Sequence, residues 1–382
     1  MGTPTVASVE TFAMEHLLGD QEYGCAKFLA PSRASTLVKV TTTDGVHGWG
    51  EAFGPIRLVA PALAAQANGL IGKPVSQREN RILEPLSKSY HLTSGGPHVF
   101  AMSGIDTALW DAFARTLDVP VFELLGGGVR DSIEAYASTG YVTRTGGVGQ
   151  FRQELESAVA NGFNAAKIRI GVSPRDDYDR VKLAREILGP DRKLMVDYNT
   201  SGNLASIRKS LSLINEFDLF WVEEPLPPED VKGWEALRST GHNLTGGESL
   251  CTRYAFKDLV VNKRMDTIQP DLAACGGLTE GQAILAMANT WHVGISPHCW
   301  GTGILQAATL QLLAAASPST GHPHIFEFDQ GYNPQREGVL KDPIRQNNGV
   351  VLIPTSPGLG VDVDEDWVSL NAVEGLGIKA SL

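Results

Sequence analysis

The amino-acid sequence predicts an α/β fold in which a TIM-like barrel follows a small α+β domain. The 382 residues are too many for one ordinary core, but a barrel of about 200 to 250 residues and a smaller domain would account for them. From Asp131 onward, short strands rich in β-branched residues alternate with amphipathic helices. One strand and one helix together take roughly 25 to 30 residues, which is the βα period of such barrels. Within this repeat, successive strands end on the carboxylates Asp197, Glu223 and Glu248.

The small domain is predicted over residues 1–130. Apolar and polar residues alternate on both sides of Asp44-Gly45, a pattern typical of a β-hairpin. Apolar residues then recur at helical spacing, which predicts packed helices. These helical segments are 61–72, 80–90 and 100–117. A glycine-rich break near residue 128 ends the domain.

The barrel is predicted over residues 131–328. Its strands are expected in the segments SIEAYAST, AAKIRIG, KLMVDYN, LFWVEEP, LTGGES, DTIQPD, GISPHCW and HIFEFD. Amphipathic helices lie between them, and no low-complexity linker interrupts the repeat. The last segment, 329–382, is too irregular to continue the barrel. We expect it to fold back against the first domain, with VVLIP as a short strand.

Composition excludes several classes of partner. The net charge of -11 and the pI near 5.3 argue against nucleic acid and against an anionic membrane. No stretch has the pattern of an export signal, and no apolar run approaches about 18 residues, so we expect a cytoplasmic protein. The scattered cysteines form neither a zinc motif nor a disulfide framework. An acidic protein that binds a small-molecule carboxylate must supply positive charge locally, from a metal, a lysine or an arginine in the site.

Ionisable residues stand at the ends of the predicted barrel strands, where barrel enzymes carry their reactive groups. They are Lys167, Arg169, Asp197, Glu223, Glu248, Asp271, His298 and Glu327. A single buried acid could be structural, capping a helix or bonding a turn. A whole series is hard to explain in that way, because each uncompensated buried charge is costly. The series therefore predicts a functional site.

The residue types in this series indicate a metal and an anionic substrate. Lys167 and Arg169 are two positions apart on one strand, so both side chains point into the barrel. Asp197, Glu223 and Glu248 offer hard oxygen ligands without cysteine or histidine. Such a set suits Mg²⁺, with Mn²⁺ as an alternative ion, better than zinc.

The remaining candidates would serve proton transfer and substrate binding. Asp271 and His298 lie on adjacent strands, so the carboxylate can bond one imidazole nitrogen and leave the other facing the substrate. Asn199 is a candidate to assist the metal or the substrate, and Trp300 is a candidate wall of the pocket. Glu224 should point away from Glu223 and is interpreted as structural.

The ordered motifs resemble those of the mandelate racemase subgroup of the enolase superfamily over nearly the whole chain. They are KxR, VDYN, WVEEP, GGES, QPD, SPHxWGTG and FEFD, with SGIDTALWD and LLGG ahead of them. The C-terminal motifs SPHCWGTG, NPQREGVL and NGVVLIPTSPGLGV are most similar to acid-sugar dehydratases and galactarolactone cycloisomerases. The resemblance implies a modified TIM (β/α)7β barrel under an α+β capping domain, and a homo-oligomer, either dimer or octamer.

The same resemblance implies roles for the candidate residues. The acids Asp197, Glu223 and Glu248 would hold Mg²⁺, on which a substrate carboxylate loses its α proton. His298, oriented by Asp271, would be one acid/base catalyst, and the lysine motif at Lys167 would supply the other. Glu327 would hydrogen-bond the substrate carboxylate as it becomes an enolate.

One departure from the family pattern bears on the reaction. The second lysine of the usual KxK motif is Arg169 here, and arginine is a poor base because it stays protonated in proteins. Racemisation or epimerisation with two bases is therefore disfavoured. We expect His298 to be the principal base in a β-elimination that yields a 2-keto-3-deoxy acid.

Two reaction types remain open, together with the less favoured possibility of a catalytically inactive relative. A dehydratase would expel a hydroxyl from an open sugar acid. A cycloisomerase would expel the ring oxygen of an aldarolactone or an anhydro sugar acid. The choice depends on the capping loops at 21–30 and 53–57, which are expected to cover the far end of the substrate.

Overall fold

The computed structural model describes residues 3–78, 94–317 and 324–382. The predicted helix over 80–90 lies outside these ranges. Within them, no helix is both long enough and apolar enough to span a membrane.

The N-terminal part is an antiparallel sheet packed against helices. Strands β1 (Val6–Leu17), β4 (Ser32–Thr42) and β5 (His47–Ala52) belong to this sheet, whereas the short strands β2 (Tyr23–Gly24) and β3 (Leu29–Ala30) form a separate hairpin between β1 and β4. Its helices are α1 (Ile56–Ala67), α2 (Pro97–Thr116) and α3 (Val121–Leu124). Strands β4 and β5 form the hairpin predicted at Asp44-Gly45, where Gly45 has a φ of +85° that glycine adopts without steric cost.

Helix α1 differs from its prediction. It begins at Ile56 and contains Pro61, whereas the sequence pattern placed the helix over 61–72. Ile56, Val59 and Leu63 all lie on its buried face. Burial of that face extends the helix upstream of the proline.

The central part is a parallel barrel. Its strands are β6 (Ser132–Ser138), β8 (Ala165–Arg169), β9 (Lys193–Asp197), β10 (Leu219–Glu223), β11 (Leu244–Gly246), β12 (Thr267–Ile268), β13 (Gly294–Ile295) and β14 (Phe326–Asp329). They pair in this order from β6 to β13, and β14 pairs with β6. The Ser296 hydroxyl donates a 2.6 Å hydrogen bond to the Ile325 carbonyl, which joins β13 to β14.

Helices of the barrel follow each of the first seven barrel strands. They are α4 (Gly147–Ala160), α5 (Pro174–Leu188), α6 (Leu204–Ile214), α7 (Val231–Leu237), α8 (Thr252–Val261), α9 (Gly277–Thr290) and α10 (Gly303–Ala315). A further short strand, β7 (Val142–Thr143), lies between β6 and α4. Every strand segment expected from the sequence is present. The prediction of a (β/α)7β barrel with an α+β capping domain is confirmed.

Strand register brings the predicted site residues to one height in the barrel. Asp197 pairs with Glu223 on one side and with Arg169 on the other. Ser138 of β6 pairs with Lys167 of β8 on one side and with Asp329 of β14 on the other. The carboxyl ends of parallel strands therefore collect these side chains at one mouth of the barrel.

The C-terminal segment contacts both parts of the molecule. Its elements are α11 (Pro334–Gly338), β15 (Gln346–Asn347), β16 (Val350–Leu352), α12 (Glu365–Asn371) and β17 (Lys379–Ser381). The VVLIP strand, β16, pairs with β6 of the barrel and not with the first domain. Since β14 pairs only with residues 135–138 of β6, residues 132–134 need another partner on that edge. Strand β17 pairs with β1 in the capping sheet.

The capping domain is fixed to the barrel mouth by its loops. Strand β2 pairs with β3 and with β7, so the hairpin near residue 25 is part of a small sheet that crosses the domain boundary. The backbone N–H of Phe53 donates to the Ala273 carbonyl at 2.9 Å. The buried carboxylate of Glu51 accepts from the N–H and hydroxyl groups of Thr302.

Candidate active site

Lys167 lies at the centre of the barrel mouth. Its ammonium is fully buried, 2.9 Å from Glu327 and 3.8 Å from Asp197, and it also pairs with Glu223. Burial alone would lower the pKa of Lys167, but the carboxylates of Glu223 and Glu327 raise it well above its ordinary value. This lysine is therefore held in its charged form.

Arg169 points into the same space as Lys167. Its Nε lies 3.4 Å from Asp197 Oδ2 and its Nη2 donates to the Ser138 hydroxyl at 3.2 Å. Its Nη1 is buried and has no hydrogen-bond partner among the described residues. The guanidinium also lies over the Tyr141 ring, 4.6 Å from the centroid. Burial opposes its charge, yet Tyr141 and Asp197 raise the pKa of Arg169 well above normal.

The acids of strands β9 and β10 are fully buried. Asp197 Oδ1 accepts from the Asn199 N–H at 2.8 Å, and its Oδ2 accepts from the Asn199 side chain at 3.1 Å. Glu223 Oε2 accepts from Trp221 Nε1 at 3.0 Å and from Gln269 Nε2 at 2.8 Å. Burial raises the pKa of Glu223, and neighbouring carboxylates add to the rise against the opposing charge of Lys167.

Glu248 follows β11 and is partly exposed, with a side chain 25% accessible. Its carboxylate lies 3.5 Å from His298 Nε2. Glu224, next to Glu223, instead accepts a 2.6 Å hydrogen bond from the Gly247 N–H. Glu224 thus contacts the backbone of the β11 loop, as expected for a side chain that points away from Glu223.

His298 and Asp271 form a dyad beside these acids. Nδ1 of His298 lies 2.6 Å from Asp271 Oδ2, and the opposite nitrogen faces Glu248. Burial alone would lower the pKa of His298, but the charge of Glu248 and the hydrogen bond to Asp271 raise it to about 10. Asp271 therefore orients the imidazole, and Glu248 favours its protonated form.

Glu327 completes the buried cluster. Its Oε2 accepts from the Cys299 N–H at 2.9 Å, and Oε1 lies 2.9 Å from Lys167. Burial would raise the pKa of Glu327, yet Lys167 and His298 lower it far below its ordinary value. An ionised carboxylate only accepts hydrogen bonds. Donation from Glu327 to a substrate carboxylate, as the family resemblance implies, thus requires that it first take up a proton.

A cavity of about 120 Å³ lies over this cluster. The barrel contributes Arg169, Asn199, Glu248, His298, Tyr141 and Trp300 to its lining, and the capping domain contributes Gly24, Cys25, Phe28, Ala30 and Phe53. The structure therefore places both loops predicted to cover the site next to it. Apart from Lys167, each of the ten candidate residues either lines this cavity or bonds directly to Lys167 or to a residue that lines the cavity.

Some residues of the site were missed by sequence reasoning. Tyr141 donates a 2.6 Å hydrogen bond to Asp329 and accepts one from Trp300. Arg33 of the capping sheet stacks on Trp300, 3.5 Å from the ring centroid, and pairs with Asp329 at 3.5 Å. Period-two spacing from Glu327 could have indicated Asp329. The sequence carries no such signal for Arg33 or Tyr141.

Comparison with known proteins identifies the family. Residues 150–367 match the family described as Enolase C-terminal domain-like. Residues 31–126 match the mandelate racemase / muconate lactonizing enzyme N-terminal domain. The chain belongs to the mandelate racemase subgroup of the enolase superfamily. This confirms the resemblance found in the sequence motifs.

Relatives within the enolase superfamily include both reaction types left open by the sequence. The D-galactarolactone cycloisomerase of Agrobacterium fabrum is 36% identical over 369 residues, 94% of this chain and 97% of the relative. A D-galactonate dehydratase of Xanthomonas euvesicatoria is 31% identical, over 87% of this chain and 89% of the relative. The crystal structure of the 3,6-anhydro-D-galactonate cycloisomerase from Zobellia galactanivorans has a TM-score of 0.88 and 32% identity. The match covers 97% of this chain and 100% of the cycloisomerase chain.

Proposed function

We propose that this enolase-superfamily protein is a Mg²⁺-dependent lyase that removes the proton α to the carboxylate of a sugar acid and then expels the β oxygen. One observation carries the proposal. The His298–Asp271 dyad, a candidate base with its orienting acid, lies against Glu248 at the mouth where Asp197, Glu223 and Lys167 also converge.

The residues at the barrel mouth fit a divalent cation by their chemistry and their charge. Asp197, Glu223 and Glu248 provide hard carboxylate oxygens on neighbouring strands, the ligand type that Mg²⁺ prefers. Carboxylates outnumber cationic side chains in the cluster, so added positive charge would stabilise it. No three acidic, histidine or cysteine side chains among the described residues are already gathered around one point. Binding would therefore require these side chains to turn from their present partners.

The chain's own residues would then perform the proton chemistry. The chemistry that Mg²⁺ supplies when bound is polarisation of the substrate carboxylate. His298 Nε2 would take the α proton, while Asp271 fixes the ring and stabilises the imidazolium. Since Glu248 is the chief cause of the raised pKa of His298, ligation of Glu248 would favour the neutral imidazole that a base requires.

Charge that develops on the substrate carboxylate would meet buried cations. Lys167 is fixed in its charged form close to this position, where preorganised electrostatics lower the barrier most effectively. A substrate carboxylate next to Glu327 would raise the pKa of that acid, because two like charges in a low-dielectric site favour a shared proton. The shared proton would form the hydrogen bond expected for Glu327.

Arg169 would stabilise the leaving oxygen and not act as a base. Its high pKa keeps the guanidinium protonated, and its free Nη1 can donate a hydrogen bond to a substrate oxygen. His298 protonated by the first step would return the proton to the departing oxygen. The products are a 2-keto-3-deoxy acid and, for an open sugar acid, water.

A cycloisomerase is the second candidate, and the same residues would serve it. The leaving group is then the ring oxygen of a lactone or an anhydro sugar acid, so the reaction opens a ring without releasing water. The two relatives described as cycloisomerases, at 36% and 32% identity, favour this alternative.

The base role can be tested by proton exchange. We predict that His298→Asn abolishes deuterium incorporation at the α carbon in deuterated water and lowers keto-acid formation by about 10³-fold or more. Nuclear magnetic resonance of the recovered substrate measures the exchange. The matched control is His324→Asn, since His324 is also buried but its ring nitrogens bond to the backbone carbonyls of Ile295 and Ser317. Exchange that persists in His298→Asn would place the base elsewhere.

A further inference from the structure

The cavity over the candidate active site has two chemically different sides. We call the barrel side the floor, and it contains Arg169, Asn199, Glu248 and His298. We call the capping side the roof, and it contains Gly24, Cys25, Phe28, Ala30 and Phe53. Among the described residues that line the cavity, every charged side chain belongs to the floor.

The roof is apolar and held in place. Cys25 and Ala30 are nearly buried, at 6% and 5% exposure, and the β2–β3 hairpin that carries them pairs with β7. Phe53 packs edge-on against Phe100 with 5.9 Å between ring centroids. These contacts leave the roof with a fixed apolar surface over the cavity.

Two positively charged side chains near the roof, Lys27 and Arg33, have polar partners of their own. Lys27, on the same hairpin, donates a 2.5 Å hydrogen bond to the Thr200 hydroxyl at the rim. Arg33 lies behind Trp300, where it stacks on the indole and pairs with Asp329. Neither side chain lines the cavity.

We infer that the substrate carries one carboxylate, held at the floor, and an uncharged far end against the roof. This inference rests on the proposed function, because it assigns the carboxylate to the floor. A second carboxylate against the buried apolar part of the roof, at Cys25 and Ala30, would be desolvated without a cationic partner among the roof residues that line the cavity, which is costly. Aldonates, lactones and anhydro sugar acids meet the requirement. Open-chain aldarates, with a carboxylate at each end, do not.

Ligand pairs that differ only at the far end test the inference. A hexonate is compared with the hexarate of the same configuration, and that hexarate with its monolactone. Binding to the His298→Asn variant with Mg²⁺, measured by calorimetry, should favour the monocarboxylate of each pair by at least about 100-fold. Equal or tighter binding of the hexarate would overturn the inference.

Turnover of the same compounds by the unmodified protein separates this inference from the proposed function. If none of the compounds yields a keto acid but the expected binding order is observed, the proposed lyase is refuted and the single-carboxylate inference is supported. Keto acid formed from the open hexarate as fast as from the hexonate would refute the inference but leave the lyase standing.

A variant that adds charge to the roof gives a second test. Phe28 is 60% exposed, so Phe28→Arg should fold and place a guanidinium at the roof. It should raise the hexarate-to-hexonate ratios of kcat/KM and of binding affinity by about tenfold or more. The control is Leu58→Arg, which adds the same charge to an exposed position of α1 that does not line the cavity. Equal ratios in both variants would contradict the assignment of the roof to the far end.

Discussion

The floor and the roof of the cavity are built in different ways. On the floor and directly beneath it, charges such as Lys167, Asp197 and Glu223 are buried on barrel strands and bond to one another. On the roof, apolar side chains come from loops, and Phe28 is largely exposed. From this difference we expect the barrel to determine the chemistry of proton transfer and the capping loops to determine which substrates fit.

The floor and the roof also differ in how many neighbouring residues a substitution should affect. Each floor charge has several charged neighbours, so removing one changes the balance of the whole cluster. Roof side chains contact the cavity mainly through apolar surface, whose removal acts locally. Substitutions of the floor should therefore abolish reaction, whereas substitutions of the roof should change substrate preference.

The largest effect is expected for Glu223, a buried acid directly beneath the floor. Glu223→Gln removes one carboxylate of the candidate Mg²⁺ set and a partner of Lys167. We predict that Mg²⁺ no longer raises the melting temperature and that kcat falls by about 10³-fold or more. Thermal unfolding with increasing Mg²⁺ measures the first effect without any need for turnover.

Glu224→Gln is the matched control for this prediction. Glu224 is adjacent and equally buried, but it accepts from the Gly247 N–H, which a glutamine carbonyl can replace. Its variant should keep the Mg²⁺ response. If both variants lose the response, or neither does, the metal ligands have been assigned to the wrong acids.

The sequence predicted the floor well because strand ends have a simple physical logic. A charged residue after a buried β-branched run must point to a polar site, since burial without a partner is costly. Parallel strands then bring consecutive ends together, so Asp197, Glu223 and His298 could be grouped without any knowledge of the structure. Lys167 and Arg169 were placed on one face by period-two spacing alone.

The sequence could not predict how the roof meets the barrel. The hairpin near Cys25 is fixed by pairing with β7, a contact between segments more than 100 residues apart that leaves no local pattern. The stacking of Arg33 on Trp300 is another such contact. The strand VVLIP was expected against the first domain, but the open edge of β6 provided the partner. Short motifs reveal where a buried strand ends on a charged residue, but they do not reveal which distant segments pair with each other.

Arg169 provides the next test, with a smaller expected effect. Arg169→Lys keeps a positive charge near Asp197 but loses the planar group that also reaches Ser138 and offers a free Nη1. We predict a fall in kcat by about 10- to 100-fold, which corresponds to one hydrogen bond to a charged group. Product analysis should show elimination without epimerisation in the unmodified protein.

Arg180→Lys is the control for Arg169→Lys. Arg180 is also largely buried, but it donates to the Arg169 and Gly140 carbonyls and does not line the cavity. Its variant should lose stability without a matching loss of kcat. Full activity in Arg169→Lys would show that charge alone is needed there, and faster epimerisation than elimination would assign a base role to this position.

The smallest effect is expected for Arg33, which stacks on Trp300 in the cavity wall but does not line the cavity itself. Arg33→Lys keeps a charge near Asp329 but loses the flat guanidinium that stacks on Trp300. We predict that KM rises by about three- to tenfold while kcat changes by less than about twofold, because a stacking contact contributes roughly 1 kcal/mol. Arg336→Lys is the control, since Arg336 also pairs with Asp329, at 3.4 Å, but its guanidinium donates to the backbone carbonyls of Asp329 and Gly331. A similar loss of stability in both variants, with the rise in KM confined to Arg33→Lys, would show that Arg33 positions the wall. A fall in kcat for Arg33→Lys with unchanged KM would instead mean that the network of Tyr141 and Asp329 acts on the proton chemistry of the floor.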